Sequence, residues 1–180
     1  MNQELIINST PNEVVIALLN DKRLVELHRE KSNTQFAVGD IYLGKAKKVM
    51  TGLNAAFIDV GYEKDAFLHY LDLGPQANSL IKYVEQVQTG KQNSSNLMYF
   101  KNETDIKKDG KINDIIKSGQ NVLVQVAKEP ISAKGPRITT EISLAGRYLV
   151  LIPFADKISV SSKIRDNDEK KRLKELMQSI

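Results

Sequence analysis

Asn54-Ala55-Ala56-Phe57-Ile58-Asp59-Val60-Gly61-Tyr62-Glu63-Lys64-Asp65-Ala66-Phe67-Leu68-His69 reads as two short strands joined by a short polar turn. Residues i and i+2 of a strand share a face. Phe57 therefore stands beside Ala55 and Asp59, and Phe67 beside His69, while Ile58, Val60 and Leu68 have the opposite parity and can fill a core. The polar turn over residues 61–65 is short enough to fold the strands into a hairpin. Two flat rings set among small or polar neighbours on one exposed sheet face form a stacking platform, which suits nucleobases better than a small metabolite. The competing reading of Phe57 and Phe67 is two core aromatics.

On either side of this hairpin the pattern stays β-rich. Residues 41–50 can form a strand in which Gly44 marks a bend or a close backbone approach, and 51–54 give a turn. Residues 121–127 supply a further strand with Val122, Val124 and Val126 on one parity, and 137–142 can close the sheet. Between them, residues 74–119 hold an amphipathic segment at 79–87, a polar stretch at 89–96, a lysine-rich piece at 107–111 and a short helical turn at 112–116. This insertion is longer than a simple connection and reads as an elaborated loop with a mobile tip.

Toward the N-terminus, strands are expected over 5–8, 14–19 and 23–29, with Asn20-Asp21-Lys22 as the turn between the last two. The continuous apolar run at 14–19 implies a strand covered on both faces. A three-stranded meander alone would leave such a strand bare, so the meander is expected to join a larger sheet. Toward the C-terminus, 148–152 has the composition of a buried strand ended by Pro153. Asp166 can cap a helix, with Glu169 three residues on and Leu173, Leu176, Met177 and Ile180 at helical spacing. The apolar face is still running where the sequence stops, the pattern of a chain cut from a longer polypeptide.

The chain's 180 residues can bury a core in one domain, or in one domain and part of a second. A net charge of +4, from 26 basic against 22 acidic side chains, favours an anionic partner without proving one. The absence of cysteine excludes disulfides, thiolate zinc sites and a cysteine nucleophile. His28 and His69 lie too far apart in sequence for ligand-like spacing. With no basic leader and no apolar run long enough to span a bilayer, the expectation is a cytoplasmic protein with no membrane span.

The barrel motif resembles the S-one type of oligonucleotide-binding (OB) fold, and in its surroundings the chain resembles the N-terminal part of the ribonuclease E/G family. The matching blocks are Glu4-Leu5-Ile6-Ile7-Asn8, Arg23-Leu24-Val25-Glu26-Leu27, Gly39-Asp40-Ile41-Tyr42-Leu43-Gly44-Lys45-Ala46 and the hairpin itself. They resume at Val124-Gln125-Val126-Ala127-Lys128-Glu129, at Ala133-Lys134-Gly135-Pro136-Arg137-Ile138-Thr139-Thr140 and at Leu144-Ala145-Gly146-Arg147-Tyr148-Leu149-Val150-Leu151-Ile152-Pro153, while 73–118 match poorly. The fold implied is mainly β, α+β overall. Residues 1–35 begin a ribonuclease H-like meander, 36–140 form a five-stranded OB barrel with the insertion at about 74–119, and 141–180 begin a truncated 5'-sensor subdomain.

The resemblance raises the stacking reading of Phe57 and Phe67 above the core reading, on a scale of about 1–3 kcal/mol per base. It adds His69 as a stacking or hydrogen-bonding residue, with a solvated surface histidine as the alternative. Lys45, Lys47 and Lys48, with Lys134 and Arg137, are the basic candidates, and family comparison gives Lys134 a phosphate or base contact near the rings. Taken singly, each of these cations reads equally well as decoration of a solvated face. The lysines at 107, 108 and 111 carry less weight. Gly146 and Val150 align with the border of a pocket for an RNA 5'-monophosphate, against the simpler reading of one relieving crowding and the other filling core. That pocket also needs an arginine-threonine pair placed by the family beyond residue 180.

No catalytic set is expected in this chain. Metal-assisted phosphodiester cleavage needs oxygen ligands converging on a divalent cation, whereas Asp59, Asp65, Asp72 and Glu141 are scattered among strands and turns. There is no Walker loop or serine-triad signature. The resemblance places the family's Mg2+-binding acids in a later subdomain, so this chain is expected to hold no cofactor and to be inactive alone. The expectation is a segment that captures single-stranded RNA for a Mg2+-dependent endoribonuclease of rRNA processing and mRNA decay, a homodimer or homotetramer when complete. The alternatives are a stand-alone RNA-binding barrel or RNA chaperone, and a protein-interaction barrel.

Overall fold

The computed structural model describes residues 2–31, 36–94, 97, 99–146, 149–155, 158 and 160–178. The chain divides into two compact units, Met1–Ala37 and Val38–Ile180.

The first unit is an antiparallel meander of β1 (Gln3–Ser9), β2 (Glu13–Asn20) and β3 (Arg23–Lys31) in that spatial order. Asp21 and Lys22 take φ of 47° and 64°, the primed-turn geometry that matches the twist of a two-residue hairpin. The apolar run inside β2 is half-buried along its whole length, not covered on both faces. Its flanks are barer still, with Leu5 and Ile7 on β1 63% and 60% exposed and Leu24 and Leu27 on β3 both 57% exposed. The two neighbouring strands shield the edges of β2, but among the described residues of this unit no second layer lies on either face.

The second unit is built on a closed OB-type barrel of β4 (Ile41–Met50), β5 (Ala55–Asp59), β6 (Ala66–His69), β7 (Asn121–Lys128) and β8 (Arg137–Thr139), in spatial order β4-β5-β6-β8-β7. Alternation fills its interior. Ile58, Leu68, Val122, Val124, Val126 and Ile138 are all buried, and each such side chain stabilises the fold by about 1.5–3 kcal/mol. Gly44 sits where the first strand meets the hairpin. A Cβ there would run into the Ile58 side chain and lie 3.1 Å from the Asp59 carbonyl oxygen. The barrel closes through a single parallel pair, Phe67 with Arg137, seconded by the Phe67 N–H donating to the Pro136 carbonyl at 2.9 Å.

The insertion between β6 and β7 is a docked element. Its amphipathic stretch forms α1 (Ala77–Gln88), which buries Leu80, Ile81 and Val84, and a helical turn α2 (Ile112–Ile115) buries Ile112. Asn54, left-handed at φ 48°, ties the returning chain down: its Nδ2 donates to the Gly110 carbonyl at 3.1 Å and its Oδ1 accepts from the Ile112 N–H at 2.7 Å. Ser79 Oγ accepts from the Glu103 N–H at 2.8 Å, so the segment before α2 lies along α1. The tip expected to be mobile includes residues 95, 96 and 98, which lie outside the described residues.

C-terminal to the barrel, the strand expected over 148–152 is reduced to β10 (Val150–Leu151), paired with β9 (Leu144–Ala145), and both of its residues are exposed. Residue 148 lies outside the described residues. The composition promised burial, but the partner strand is two residues long, and Pro153 follows closely. α3 (Asn167–Gln178) starts as expected: Asp166 Oδ1 accepts from the Asp168 N–H at 2.9 Å. Glu169 engages Arg172 in two bonds of 2.7 Å.

Candidate nucleic-acid interface

Antiparallel pairing sets Phe57 directly opposite Phe67. Their ring centroids lie 5.8 Å apart with planes at 66°, an edge-to-face contact favoured by the aromatic quadrupole. Both rings are half-buried while Ile58 and Leu68, of opposite parity, are fully buried. His69 lies on the same side, its ring 6.4 Å from that of Phe67 and inclined by 30°. The Leu71 N–H donates to His69 Nδ1 at 3.1 Å, which fixes the ring's orientation and leaves Nε2 as the donor of the neutral imidazole.

Register extends this row across four strands. Lys48 of β4 pairs with Phe57, Phe57 with Phe67, and Phe67 with Arg137 of β8. Lys48 reaches that position because the β4–β5 ladder shifts between Ala46 and Lys48, a bulge that leaves Lys47 as the extra residue. Lys45 pairs with Asp59 and is exposed.

The two rings floor a cleft of about 650 Å³ whose rim is made by Lys64 and Asp65 of the hairpin turn and by Ala133, Lys134 and Gly135 of the β7–β8 loop, with Arg137 alongside. Gly135 locks the two loops together. A Cβ on it would collide with the Asp65 carbonyl oxygen and approach that of Lys64 to 2.7 Å, so only glycine lets the backbones lie this close.

The cations divide by what already holds them. Lys47 Nζ lies 3.0 Å from both Asp59 Oδ2 and Asp65 Oδ1. The hydrogen bonds it donates to Asp65 first, and then to Asp59, hold its ammonium above the ordinary lysine value. The Gly61 N–H, first, and Lys47 push the Asp59 carboxyl below its ordinary value. Arg137 forks onto Asp72, which raises the guanidinium further. Among the described residues, no carboxylate lies within ion-pairing distance of Lys45, Lys48, Lys64 or Lys134. Those four are charges available to an incoming polyanion, as is Lys128 of β7, exposed and paired in register with Arg137.

The structure thus gathers Phe57, Phe67, His69, Lys134 and Arg137 in one place, with Lys47 at its edge and Lys45 further along β4. Gly146 and Val150 belong to a different feature, the β9–β10 hairpin, where the Gly146 N–H donates to the Leu149 carbonyl at 2.8 Å and Val150 pairs with Ala145. Sequence reasoning passed over Lys64 as a turn residue, weighed Asp65 only as a catalytic acid and not as part of an RNA site, and could not align Lys48 with Phe57. The first two had a signal, since a tight hairpin keeps its turn beside its own strands. The third had none, because a bulge leaves no mark in the alternation.

Among the described residues, no group of three or more His, Asp or Glu side chains has a metal-holding arrangement, and no helix is long and apolar enough to cross a membrane.

Comparison with known proteins gives a consistent set of matches. A model of the Ribonuclease E/G family matches residues 143–180. Ribonuclease G of Escherichia coli (strain K12) is 34% identical over 177 residues, covering 98% of this chain and 32% of that protein. Ribonuclease G of Haemophilus influenzae is 37% identical over 175 residues, 97% of this chain and 32% of the relative. A Ribonuclease E/G-like protein of Porphyra purpurea is 40% identical over 146 residues, 81% of this chain and 23% of the relative. The chain spans about a third of the length of the ribonuclease G relatives it matches.

Proposed function

Starting from a chain whose similarity, along nearly all its length, supports an N-terminal ribonuclease G-like portion of the ribonuclease E/G family, we propose that it captures single-stranded RNA for an endoribonuclease. Bases stack on Phe57 and Phe67, His69 extends the stack, and the phosphates between them are drawn to Lys134, with Lys64 and Lys48 beside the rings. The observation that carries this reading is the cross-strand pair of half-buried rings flooring a cleft whose rim bears unpaired lysines. Stacking tolerates sequence because every base has a π-face, and unpaired lysines bind phosphate by releasing counterions.

In the complete protein, this segment delivers the strand to Mg2+-dependent hydrolysis carried out by residues outside the chain, in rRNA processing and mRNA decay in the cytoplasm. Gly146 and Val150 border part of a pocket for a 5'-monophosphate. The complete enzyme works as a homodimer or homotetramer, and the N-terminal meander, with bare apolar strands, completes its sheet there with further chain. Lys45, Lys47 and Arg137 have supporting roles, the last two through the carboxylates they hold.

Titration with a single-stranded oligoribonucleotide and with its duplex tests this reading. Paired bases cannot reach the rings, so the single strand is expected to bind more tightly at every salt concentration. Equal affinities would contradict it.

A further inference from the structure

The lysines at 107, 108 and 111 belong to a loop that the barrel holds in place. The Ile106 N–H donates to the Pro75 carbonyl at 2.9 Å, the Tyr70 hydroxyl donates to the Lys107 carbonyl, and Asn54 binds both Gly110 and Ile112. The packing is close, since a Cβ on Gly110 would run into the Tyr70 hydroxyl. Held this way, the loop contributes Ile106 and Lys108 to a second cleft, of about 210 Å³, which Leu71, Leu73, Pro75 and Glu141 also line. Leu73 is buried, whereas Leu71 is 66% exposed, an apolar side chain left open to solvent at the cleft.

This cleft continues the ring platform. Leu71 follows His69 by two residues and its N–H donates to His69 Nδ1 at 3.1 Å, so a strand lying on Phe57, Phe67 and His69 meets Leu71 next. The three lysines of the loop outnumber the two nearest carboxylates in sequence and cleft, Asp109 and Glu141. Among the described residues, no carboxylate lies within ion-pairing distance of Lys107, Lys108 or Lys111. Apolar walls with one cation suit a nucleotide, whose base packs on aliphatic carbon while its phosphate meets the ammonium. Resting on the stacking platform described above, we propose that the cleft between Leu71 and Lys108 is a second nucleotide subsite, which takes the base next along the strand from His69 and holds its phosphate with Lys108. The loop lies in the stretch 73–118 that matches the family poorly, so the subsite is a property of this chain's own insertion.

The test measures binding of oligouridylates of about 4 and about 8 nucleotides, the lower part of the range covered by an OB fold, by fluorescence anisotropy at low and high salt. The rings alone hold the shorter oligomer, and the longer one also reaches the second cleft. Leu71→Ser, a change at an exposed side chain, should weaken binding of the longer oligomer roughly tenfold at both salt concentrations, the scale of one base contact, and leave the shorter one unaffected. Lys108→Met keeps the aliphatic stem and should reduce the slope of log affinity against log salt by about one, for the longer oligomer only. Native binding of the longer oligomer by either variant overturns the proposal. Equal losses on both lengths overturn it too, because they assign Leu71 and Lys108 to the platform. If the native chain binds neither oligomer, the platform itself fails and the subsite falls with it.

Discussion

Arg137 holds Asp72 in a two-bond fork, Nε to Oδ2 at 2.9 Å and Nη2 to Oδ1 at 2.8 Å. The pair fastens β8, whose three residues close the barrel, to the turn that follows β6. Thr139 Oγ1 adds a bond to the Asp72 carbonyl at 2.6 Å. With its guanidinium engaged, Arg137 acts on the barrel before it acts on RNA. Arg137→Ala should therefore lower the melting temperature, by about 1 kcal/mol of stability once solvent screening of a half-exposed pair is discounted. Arg137→Lys should restore little, since an ammonium cannot fork. An unchanged melt with a flattened salt dependence of RNA binding would make Arg137 a direct phosphate contact.

Gly135 offers a sharper structural test, because its backbone lies against the carbonyls of Lys64 and Asp65. Gly135→Ala forces the β7–β8 loop off the hairpin turn, and overpacking against backbone costs about 1–3 kcal/mol. The expected outcome is a lower melting temperature together with weaker RNA binding, because Lys134 moves with the loop. A variant as stable as the native chain, with unchanged affinity, would show that the rim is not built on this contact.

The Lys47–Asp59 pair makes a pH-dependent contribution with a worked sign. Asp59 is depressed below its ordinary 3.8 in the folded chain, so its stabilisation is full above that value and is lost as pH falls through the lower folded value. Lys47 is raised above its ordinary 10.5, so its share is full below that value and is lost as pH rises through the higher folded one. The difference in melting temperature between the native chain and Lys47→Met should persist between these limits and fade beyond both. A difference that stays constant into acid would mean that Asp59 does not sense Lys47.

What the sequence made legible were features that depend on local alternation. The parity of Phe57 against Ile58, and of Phe67 against Leu68, shows the barrel hairpin and its aromatic side without any tertiary knowledge. By charge and alternation alone Lys47 and Arg137 are indistinguishable from Lys134, which only the family resemblance set apart, because their partners come into reach only when the barrel closes. Asp65 lies across a hairpin from Lys47, and Asp72 across the parallel closure from Arg137. The stretch at 148–152 misled for the converse reason: its composition suits a buried strand, but burial depends on a neighbouring layer that local composition does not reveal.

The central claim is that rings bind bases while lysines bind phosphates, and a salt titration of RNA affinity tests it most directly. Phe57→Ala and Phe67→Ala, each first shown to melt at the native temperature, should weaken binding by a similar factor at low and high salt, on the scale of about 1–3 kcal/mol per ring. Lys134→Ala should reduce the slope of log affinity against log salt by about one. If instead the phenylalanine variants unfold the barrel while the remaining folded fraction binds RNA with native affinity, Phe57 and Phe67 are core residues and the platform does not exist.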